Sequence, residues 1–488
     1  MVSLGVDIGG TGCKCVAFSD RGAQLALAYR EYPNPPGKVN LDPVVLRDAV
    51  FAVIGQCAKA LPGPKDVAAI TVSSFGESFV PVGADGAPLT DILLYFANSE
   101  SDEFDRFVEK TGPEKIMEIT RVLPDASYSL AKMLAVKKPV WKYLFVAGYL
   151  CYCLSGQAVC DVSLACRSLL YDVKKRAWSG ALLDASGVSR DQLPTVLPTG
   201  SIAGPILPEA AAALGLSGSV QIVIGSHDQI VNALGAGVSE PGEAVNITGT
   251  CECIEPLFQE MPGFDFIRQN FACVPYLDGR GYVTYAYNIS GGAVVKWYRD
   301  TLAAHLRQQA EEASCSIYDI LNRVCPKEPT SLIVLPYLQG MGGTPDVRTD
   351  AVGHIAGLTA STTLPDLYRG ILEGLCFEMQ YNLEKLAESG IVPGRLYACG
   401  GGARSDVWLQ IKADVWNREI LPVESEETGA LGSAILGFSA VTGEKDRCAL
   451  SKTFVRHRAV VHPDPARHAC YQKQYELFKK LRKFSIEA

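Results

Sequence analysis

The feature that most constrains the fold is a strand–glycine turn–strand pattern that occurs twice, about half a chain apart. It begins the sequence as SLGVDI, GGTG and CKCVAFS, and it recurs from Ala244 as AVNITGTCECIEPLF. Internal similarity at this spacing predicts two similar α/β halves rather than three unrelated domains. We place the boundary after residue 244, which gives domains of residues 1–244 and 245–488.

Further along the chain, strand and helix patterns alternate. Asp42–Pro43 is a typical helix start, and the apolar run DVAAITVSS predicts a buried strand. In the second half, LPDLYRGILEGLCFEMQYNLEKL predicts a long amphipathic helix, and Asp278–Gly279 predicts a hairpin turn. Strands interleaved with helices indicate an α/β fold.

Composition and charge exclude several classes of function. The 488 residues are 48% hydrophobic and 20% charged, with a formal net charge of -8. Because the chain has no long block of Lys and Arg, we expect no nucleic-acid partner. The N-terminus lacks the basic region and apolar core of a signal peptide, and the run YLFVAGYLCYCLSG is shorter than the ~20 residues that a membrane span needs. We therefore expect a cytoplasmic protein with no membrane partner.

The cysteine pattern also favours a cytoplasmic protein. The chain has 16 of them, and none forms a C-x-x-C pair. Zinc sites usually combine wider spacing with histidine, so buried free thiols in a reducing cytosol are the better interpretation. The C-x-C pairs are Cys13/Cys15, Cys151/Cys153 and Cys251/Cys253.

Three glycine-rich turns each follow a predicted strand. Glycine permits positive φ and close approach of the backbone, so successive amide N–H groups can converge on an anion. The chain has neither the G-x-x-x-x-G-K-[ST] motif nor a complete G-x-G-x-x-G. Two turns in matching halves can instead face each other across a cleft and bind a polyphosphate. The turns are Gly9-Gly10-Thr11-Gly12, Gly249-Thr250 and Gly400-Gly401-Gly402.

Two aspartates stand at the ends of predicted strands. Asp7 lies beside the first turn, where a carboxylate can hold Mg²⁺ directly or through water, or can simply cap the turn. Asp228 lies at a strand-to-helix corner, and Ser226 with Gln229 fits a capping box, so Ser226 is the predicted N-cap. The helix dipole would keep Asp228 ionised. The small residues between Gly225 and Gly237 predict room for a substrate.

These motifs resemble the FGGY carbohydrate kinases, which include xylulokinases, glycerol kinases and fuculokinases, over nearly the whole chain. LGVDIGGTGCKCVAF is similar to their first phosphate motif, and GSHDQIVNALGAGV to the segment that carries their catalytic aspartate. NITGTCECI is similar to the second phosphate motif, and CGGGARSDVWLQIKADVWNREI to the adenosine signature. DIGGT also begins the ROK sugar kinases, but their Cys-rich zinc motif and E-x-G-H segment are absent.

The resemblance implies two ribonuclease-H-like, actin-like ATPase domains that close over a central catalytic cleft. It implies transfer of the γ-phosphoryl group of ATP to a hydroxyl of a sugar, a ketopentose such as xylulose or a related sugar or polyol, with ATP and Mg²⁺ as cofactors. Asp228 is then the catalytic base and Asp7 the metal-associated carboxylate. The implied substrate-binding residues are Gly76, Glu77, His227 and Asp228. The implied ATP-binding residues are Gly9, Gly10, Thr11, Gly12, Lys14, Gly249, Thr250, Gly401, Gly402 and Ala403.

A regulatory ATPase of actin type, which uses nucleotide binding to switch shape, is the alternative function. Glu77 and Asp228 discriminate between the two, because a pure switch needs no carboxylates on the sugar side. The expected partner is a small-molecule sugar or polyol, and a homodimer is left open.

Overall fold

The computed structural model describes residues 1–33, 38–97, 99 and 101–487. Among the described residues, no helix has both the length and the apolar character of a membrane span. The helices, in chain order, are α1 Pro43–Lys59, α2 Asp102–Thr111, α3 Pro113–Thr120, α4 Ser129–Ala135, α5 Val146–Ser155, α6 Val162–Cys166, α7 Gly180–Ser186, α8 Pro208–Leu214, α9 Asp228–Ala236, α10 Phe264–Arg268, α11 Gly292–Thr301, α12 Arg307–Glu312, α13 Ile317–Val324, α14 Leu364–Glu388, α15 Asp406–Trp416, α16 Thr428–Thr442, α17 Arg447–Phe454 and α18 Pro465–Glu487. The strands are β1 Val2–Ile8, β2 Gly12–Ser19, β3 Gln24–Glu31, β4 Asn40–Leu41, β5 Val67–Ser74, β6 Phe79–Val82, β7 Ile92–Leu93, β8 Lys142–Phe145, β9 Val159–Asp161, β10 Tyr171–Asp172, β11 Ala177–Trp178, β12 Thr195–Leu197, β13 Ile202–Pro205, β14 Gln221–His227, β15 Glu243–Thr248, β16 Glu252–Phe258, β17 Val274–Pro275, β18 Tyr282–Val283, β19 Ala286–Asn288, β20 Ile333–Leu335, β21 His354–Ala356, β22 Arg395–Cys399 and β23 Ile420–Pro422.

The two main sheets are built on the same plan. The first has the order β13-β14-β5-β1-β2-β3, and the second β17-β18-β16-β15-β22-β23, with β19 beside β16. In the first, β1 is antiparallel to β2 and parallel to β5. In the second, β15 is antiparallel to β16 and parallel to β22. The recurrence in the sequence therefore corresponds to a repeated strand–turn–strand unit at the centre of each sheet.

Several local predictions are confirmed. Helix α1 begins at Pro43, and the Asp42 side chain accepts a hydrogen bond from the N–H of Val44. The hairpin β17–β18 turns at Asp278 and Gly279, both of which have positive φ. Helix α14 is long, as its periodicity indicates. The cysteines are free thiols, and most of them are buried.

Helix α16 belongs to the second half in sequence, but it packs against β1, β5 and α9 of the first. The contact between α9 and α16 is backbone to backbone. A Cβ built on Gly235 would lie 1.9 Å from the Thr428 carbonyl oxygen, and one on Gly432 would lie 1.9 Å from the Val231 carbonyl oxygen. The prediction that the small residues after Asp228 leave room for a substrate is therefore wrong, because they let two helices pack closely.

Candidate active site

Asp228 is the first residue of α9, directly after the end of β14. The predicted capping box is wrong: β14 continues through His227, so that His227 is the N-cap, and no side chain caps this helix among the described residues. Side chains from other segments hold the corner instead. The N–H of Ser226 donates to Ser73 Oγ at 3.2 Å, and the N–H of His227 donates to Ser163 Oγ at 2.8 Å. The backbone just before Asp228 is thus held by side chains distant in sequence, not by a local helix cap.

The Asp228 carboxylate is only 25% exposed, and its Oδ1 lies 3.3 Å from His227 Nε2. Burial, then the negative charges of Asp7 and Glu77, raise its pKa from 3.8 to about 7. A helix dipole contributes roughly 0.3–1 kcal/mol, less than one pKa unit. The prediction that the helix dipole keeps Asp228 ionised is therefore wrong near neutral pH, since desolvation and like charges outweigh the dipole.

The structure brings the predicted sugar-side residues together. Glu77 is buried at positive φ and forms an ion pair with Arg167, whose Nε and Nη2 both donate to Glu77 Oε1. Gly76 precedes it, and a Cβ there would lie 3.0 Å from both Arg167 Cγ and His227 Cδ2. Burial and the Arg167 charge lower the pKa of His227 well below its usual value, so its imidazole is neutral.

Arg167 forms one wall of a cavity of about 690 Å³ next to this cluster. Its guanidinium lies over the ring of Tyr128, 4.9 Å from the centroid, and near that of Tyr285, at 5.5 Å. The Tyr285 hydroxyl in turn lies 3.3 Å from His227 Nδ1. The cavity is lined by a cation, aromatic faces and polar groups, which is the surface that a polyhydroxylated ligand requires.

A buried lysine connects the segments that carry these groups. Lys132 is 1% exposed, and its Nζ donates to the carbonyl oxygens of Glu77, Leu94 and Ser127 at 3.2, 3.2 and 2.8 Å. Burial lowers its pKa to about 8, against the attraction of Glu77. Lys132 therefore fixes the left-handed turn at Glu77 to two neighbouring loops.

Asp7 lies on β1 beside the first glycine turn, close to the start of α16. A Cβ on Gly429 would be 3.1 Å from Asp7 Oδ2. Lys14, opposite Asp7 on β2, pairs with Glu427 at 2.6 Å. Burial raises the pKa of Asp7, Lys14 opposes this shift, and Glu427 adds to it. Among the described residues, no group donates a hydrogen bond to the Asp7 carboxylate.

Tyr95 packs against the first turn. A Cβ on Gly10 would lie 3.1 Å from Tyr95 Cε1. The Tyr95 hydroxyl lies at the same turn, 3.8 Å from that Cβ position.

The second and third turns adjoin each other. The carbonyl oxygen of Gly249 accepts the N–H of Gly292 at 2.9 Å, which places the second turn against the start of α11. A Cβ on Gly400 would lie 2.6 Å from the Thr248 carbonyl oxygen, directly before the second turn. Gly401 faces open space, whereas Ala403 is buried. The side chain of Ala403 is thus part of the core rather than of an open binding surface.

Sequence reasoning missed Glu427, Arg167 and Tyr95. Glu427 directly precedes α16, in the segment EETGALGSAILG, and its pairing with Lys14 depends on the fold. Arg167 follows α6 without any recognisable pattern, and its role appears only when the fold places it on Glu77.

Comparison with known proteins agrees with this geometry. Residues 2–235 match the N-terminal domain, and residues 244–441 the C-terminal domain, of the FGGY family of carbohydrate kinases. The chain belongs to the FGGY family. It therefore has that family's two-domain kinase fold of actin-like ATPase type, and it is an ATP-dependent phosphotransferase that acts on sugar hydroxyls. A regulatory ATPase without a sugar substrate is not supported.

The similar proteins span essentially the full length of the chain. The gluconokinase of Bacillus licheniformis is 29% identical over 499 residues, which cover 98% of this chain and 95% of that protein. The xylulose kinase of Bacillus subtilis is 24% identical over 495 residues, covering 98% and 96%. The crystal structure of gluconate kinase from Lactobacillus acidophilus superposes with a TM-score of 0.87 at 25% identity, covering 99% of this chain and 97% of that one.

Proposed function

We propose that Asp228 is the general base that accepts the proton of the acceptor hydroxyl while the γ-phosphoryl group of ATP is transferred to it. The supporting observation is its half-buried carboxylate at the start of α9, beside Asp7 and Glu77. A base acts best when its pKa lies near the operating pH, and the Asp228 pKa of about 7 meets this condition. Phosphoryl transfer otherwise depends mainly on positioning and charge stabilisation.

The donor set around Asp7 suits Mg²⁺. Its carboxylate is half-buried and accepts no hydrogen bond from the described residues, and a cation would offset the burial that raises its pKa. We propose that Asp7 holds Mg²⁺ directly or through water, since Mg²⁺ takes few protein ligands. When bound, the ion neutralises charge on the phosphates.

For the nucleotide, we propose that the amides of the first two turns bind the phosphates and that the third turn borders the adenosine. Gly401 faces open space, so its backbone is free to approach a ligand. Ala403 is buried and can contribute only through the conformation of the turn. The residues proposed for the phosphates are Gly9, Gly10, Thr11, Gly12, Lys14, Gly249 and Thr250.

For the acceptor, we propose a sugar acid of the gluconate type, with xylulose as the second candidate. Arg167 supports this choice, because Glu77 engages only its Nε and Nη2 through one oxygen. A guanidinium has five N–H donors, so the rest can bind a second carboxylate. The gluconokinase and xylulose kinase relatives motivate the two candidates.

A coupled assay of ADP release with gluconate and xylulose tests this choice. We expect wild type to have the larger kcat/KM for gluconate. Arg167→Met should reduce kcat/KM for gluconate relative to xylulose by about 10- to 100-fold, the value of a hydrogen bond to a charged group. The ratio within one variant cancels any loss of folded protein. Arg268→Met is the matched control, because Arg268 lines the same cavity but is half-exposed and pairs with Glu114. A wild-type preference for xylulose would contradict the sugar-acid proposal alone.

We also propose that the domain boundary lies directly before Glu243, because β14 completes the first sheet and β15, the first strand of the second sheet, begins at Glu243. The predicted boundary between residues 244 and 245 would cut β15, whose first two residues pair with β22.

A further inference from the structure

A second buried lysine lies beneath the nucleotide side of the cleft. Lys412 of α15 is 1% exposed, and its Nζ is 2.7 Å from the carboxylate of fully buried Glu252. The same Nζ donates to Asn246 Oδ1 at 2.7 Å and to Thr248 Oγ1 at 2.6 Å. The cation thus binds three side chains that come from β15 and β16, the strands on either side of the second glycine turn.

Stability alone does not account for this ion pair. Lys412 is packed between Trp408 and Trp416, with its Nζ 4.7 and 5.7 Å from the ring centroids, so water is excluded. Desolvating two charges is costly, and well-packed apolar residues often replace a buried pair without loss of stability. Glu252 Oε2 also has no hydrogen-bond partner among the described residues.

Thr248 is the residue that the network fixes, and it lies between the second and third turns. It is the last residue of β15, directly before Gly249. Its carbonyl oxygen would be 2.6 Å from a Cβ on Gly400, and its Cγ2 2.4 Å from a Cβ on Gly402. The backbone of the third turn therefore packs against both the carbonyl group and the side-chain methyl of Thr248. Because Lys412 binds the hydroxyl, the rotamer that presents the methyl to Gly402 is locked.

We infer that Lys412 is a positioning residue for ATP: by holding Thr248 it sets the spacing of the two nucleotide-side turns. This inference rests on the proposed role of those turns. Lys412 is enclosed and does not touch the nucleotide. Its loss should raise KM for ATP and leave KM for the sugar unchanged, because the sugar-side residues Glu77, Arg167 and His227 belong to the other half.

The decisive variant is Lys412→Met/Glu252→Leu, which removes both charges and leaves no unpaired ion. We expect a melting temperature close to that of wild type. We also expect kcat/KM for ATP to fall by about 10- to 100-fold, the effect of a small displacement of a binding element, with KM for the sugar unchanged. Thr248→Val keeps one methyl and replaces the hydroxyl that Lys412 binds with a second methyl, so it should show the same selective loss. Calorimetric ADP binding gives a readout that does not depend on turnover.

Arg369→Met/Glu373→Leu is the matched control. It removes an ion pair that is equally buried in the same half, on α14, where its partners are Thr330 and Tyr471 rather than a turn. A loss of ATP affinity in this control equal to that in the Lys412 variants would overturn the inference.

Gly401→Val separates the inference from the role proposed for the third turn, since a side chain there enters open space. Unchanged ADP binding in Gly401→Val would contradict the turn's role. Weakened binding in Gly401→Val, together with wild-type KM for ATP in folded Lys412→Met/Glu252→Leu and in Thr248→Val, would overturn the positioning role of Lys412 alone.

Discussion

The pH dependence of the reaction should report the environment of Asp228. A base must be ionised to accept a proton, and burial with Asp7 and Glu77 raises the Asp228 pKa to about 7. Activity is therefore lost as the pH falls through neutrality. At about pH 6, one unit below this pKa, roughly one-tenth of Asp228 is ionised, against roughly nine-tenths at about pH 8. With the ordinary pKa of 3.8, the two rates would be nearly equal.

The assay is kcat/KM for the best sugar against pH, in wild type and in Glu77→Gln. The phosphates of ATP also titrate near neutrality, but their pKa does not depend on Glu77. Removing the Glu77 charge lowers the Asp228 pKa, so the acid limb should move to lower pH even if weaker sugar binding lowers the whole curve. Glu209→Gln, on the exposed face of α8, should leave the midpoint in place. An acid limb that is absent between about pH 6 and 8, or that does not move in Glu77→Gln, would refute this interpretation.

Three further changes have defined outcomes. Asp7→Asn should raise the Mg²⁺ concentration needed for half-maximal activity, with sugar affinity unchanged by calorimetry; wild-type activity at limiting Mg²⁺ would contradict the metal role. Glu77→Ala should raise KM for the sugar by about 10-fold or more, because it removes the carboxylate that holds the Arg167 guanidinium in place; an unchanged KM and substrate profile would assign Glu77 a structural role. Gly235→Ala should destabilise the protein by roughly 1–3 kcal/mol, because its Cβ meets the Thr428 carbonyl. In thermal melts Gly180→Ala, which enters open space, is the control, and equal melting temperatures would contradict the close helix contact.

Local sequence patterns predicted the strands and turns because these depend on residues near in sequence. The strand–turn–strand units at β1–β2 and β15–β16 follow from alternating apolar residues and glycines. The capping box at Ser226 failed because strand pairing extends β14 to His227. Ser73 accepts the Ser226 N–H, which Gln229 would have accepted in a capping box, and Ser163 accepts the His227 N–H. Tertiary hydrogen bonds outweighed the local motif.

Groups that act through long-range contact could not be read from the sequence. Arg167 meets Glu77 across 90 positions, and Lys412 meets Thr248 across 164. Neither pair has a periodic or motif-based signal. The raised pKa of Asp228 could not be predicted from the sequence either, because it depends on Asp7 and Glu77, which only the fold brings near. The small residues after Asp228 predicted room for a substrate, but they allow close packing with helix α16. That partner could not be predicted locally, because α16 begins 200 residues downstream of Asp228.

The most direct test of the proposed mechanism is kcat of Asp228→Asn. The amide keeps the shape of the carboxylate, and the contact of Asn232 Nδ2 is to the Asp228 carbonyl, which the change leaves intact. The variant should fold and bind ADP with wild-type affinity by calorimetry. Its kcat should fall by about 10²- to 10⁴-fold, the usual contribution of a positioned base. A folded, ADP-binding Asp228→Asn protein with kcat within about threefold of wild type would contradict the role of Asp228 as the base.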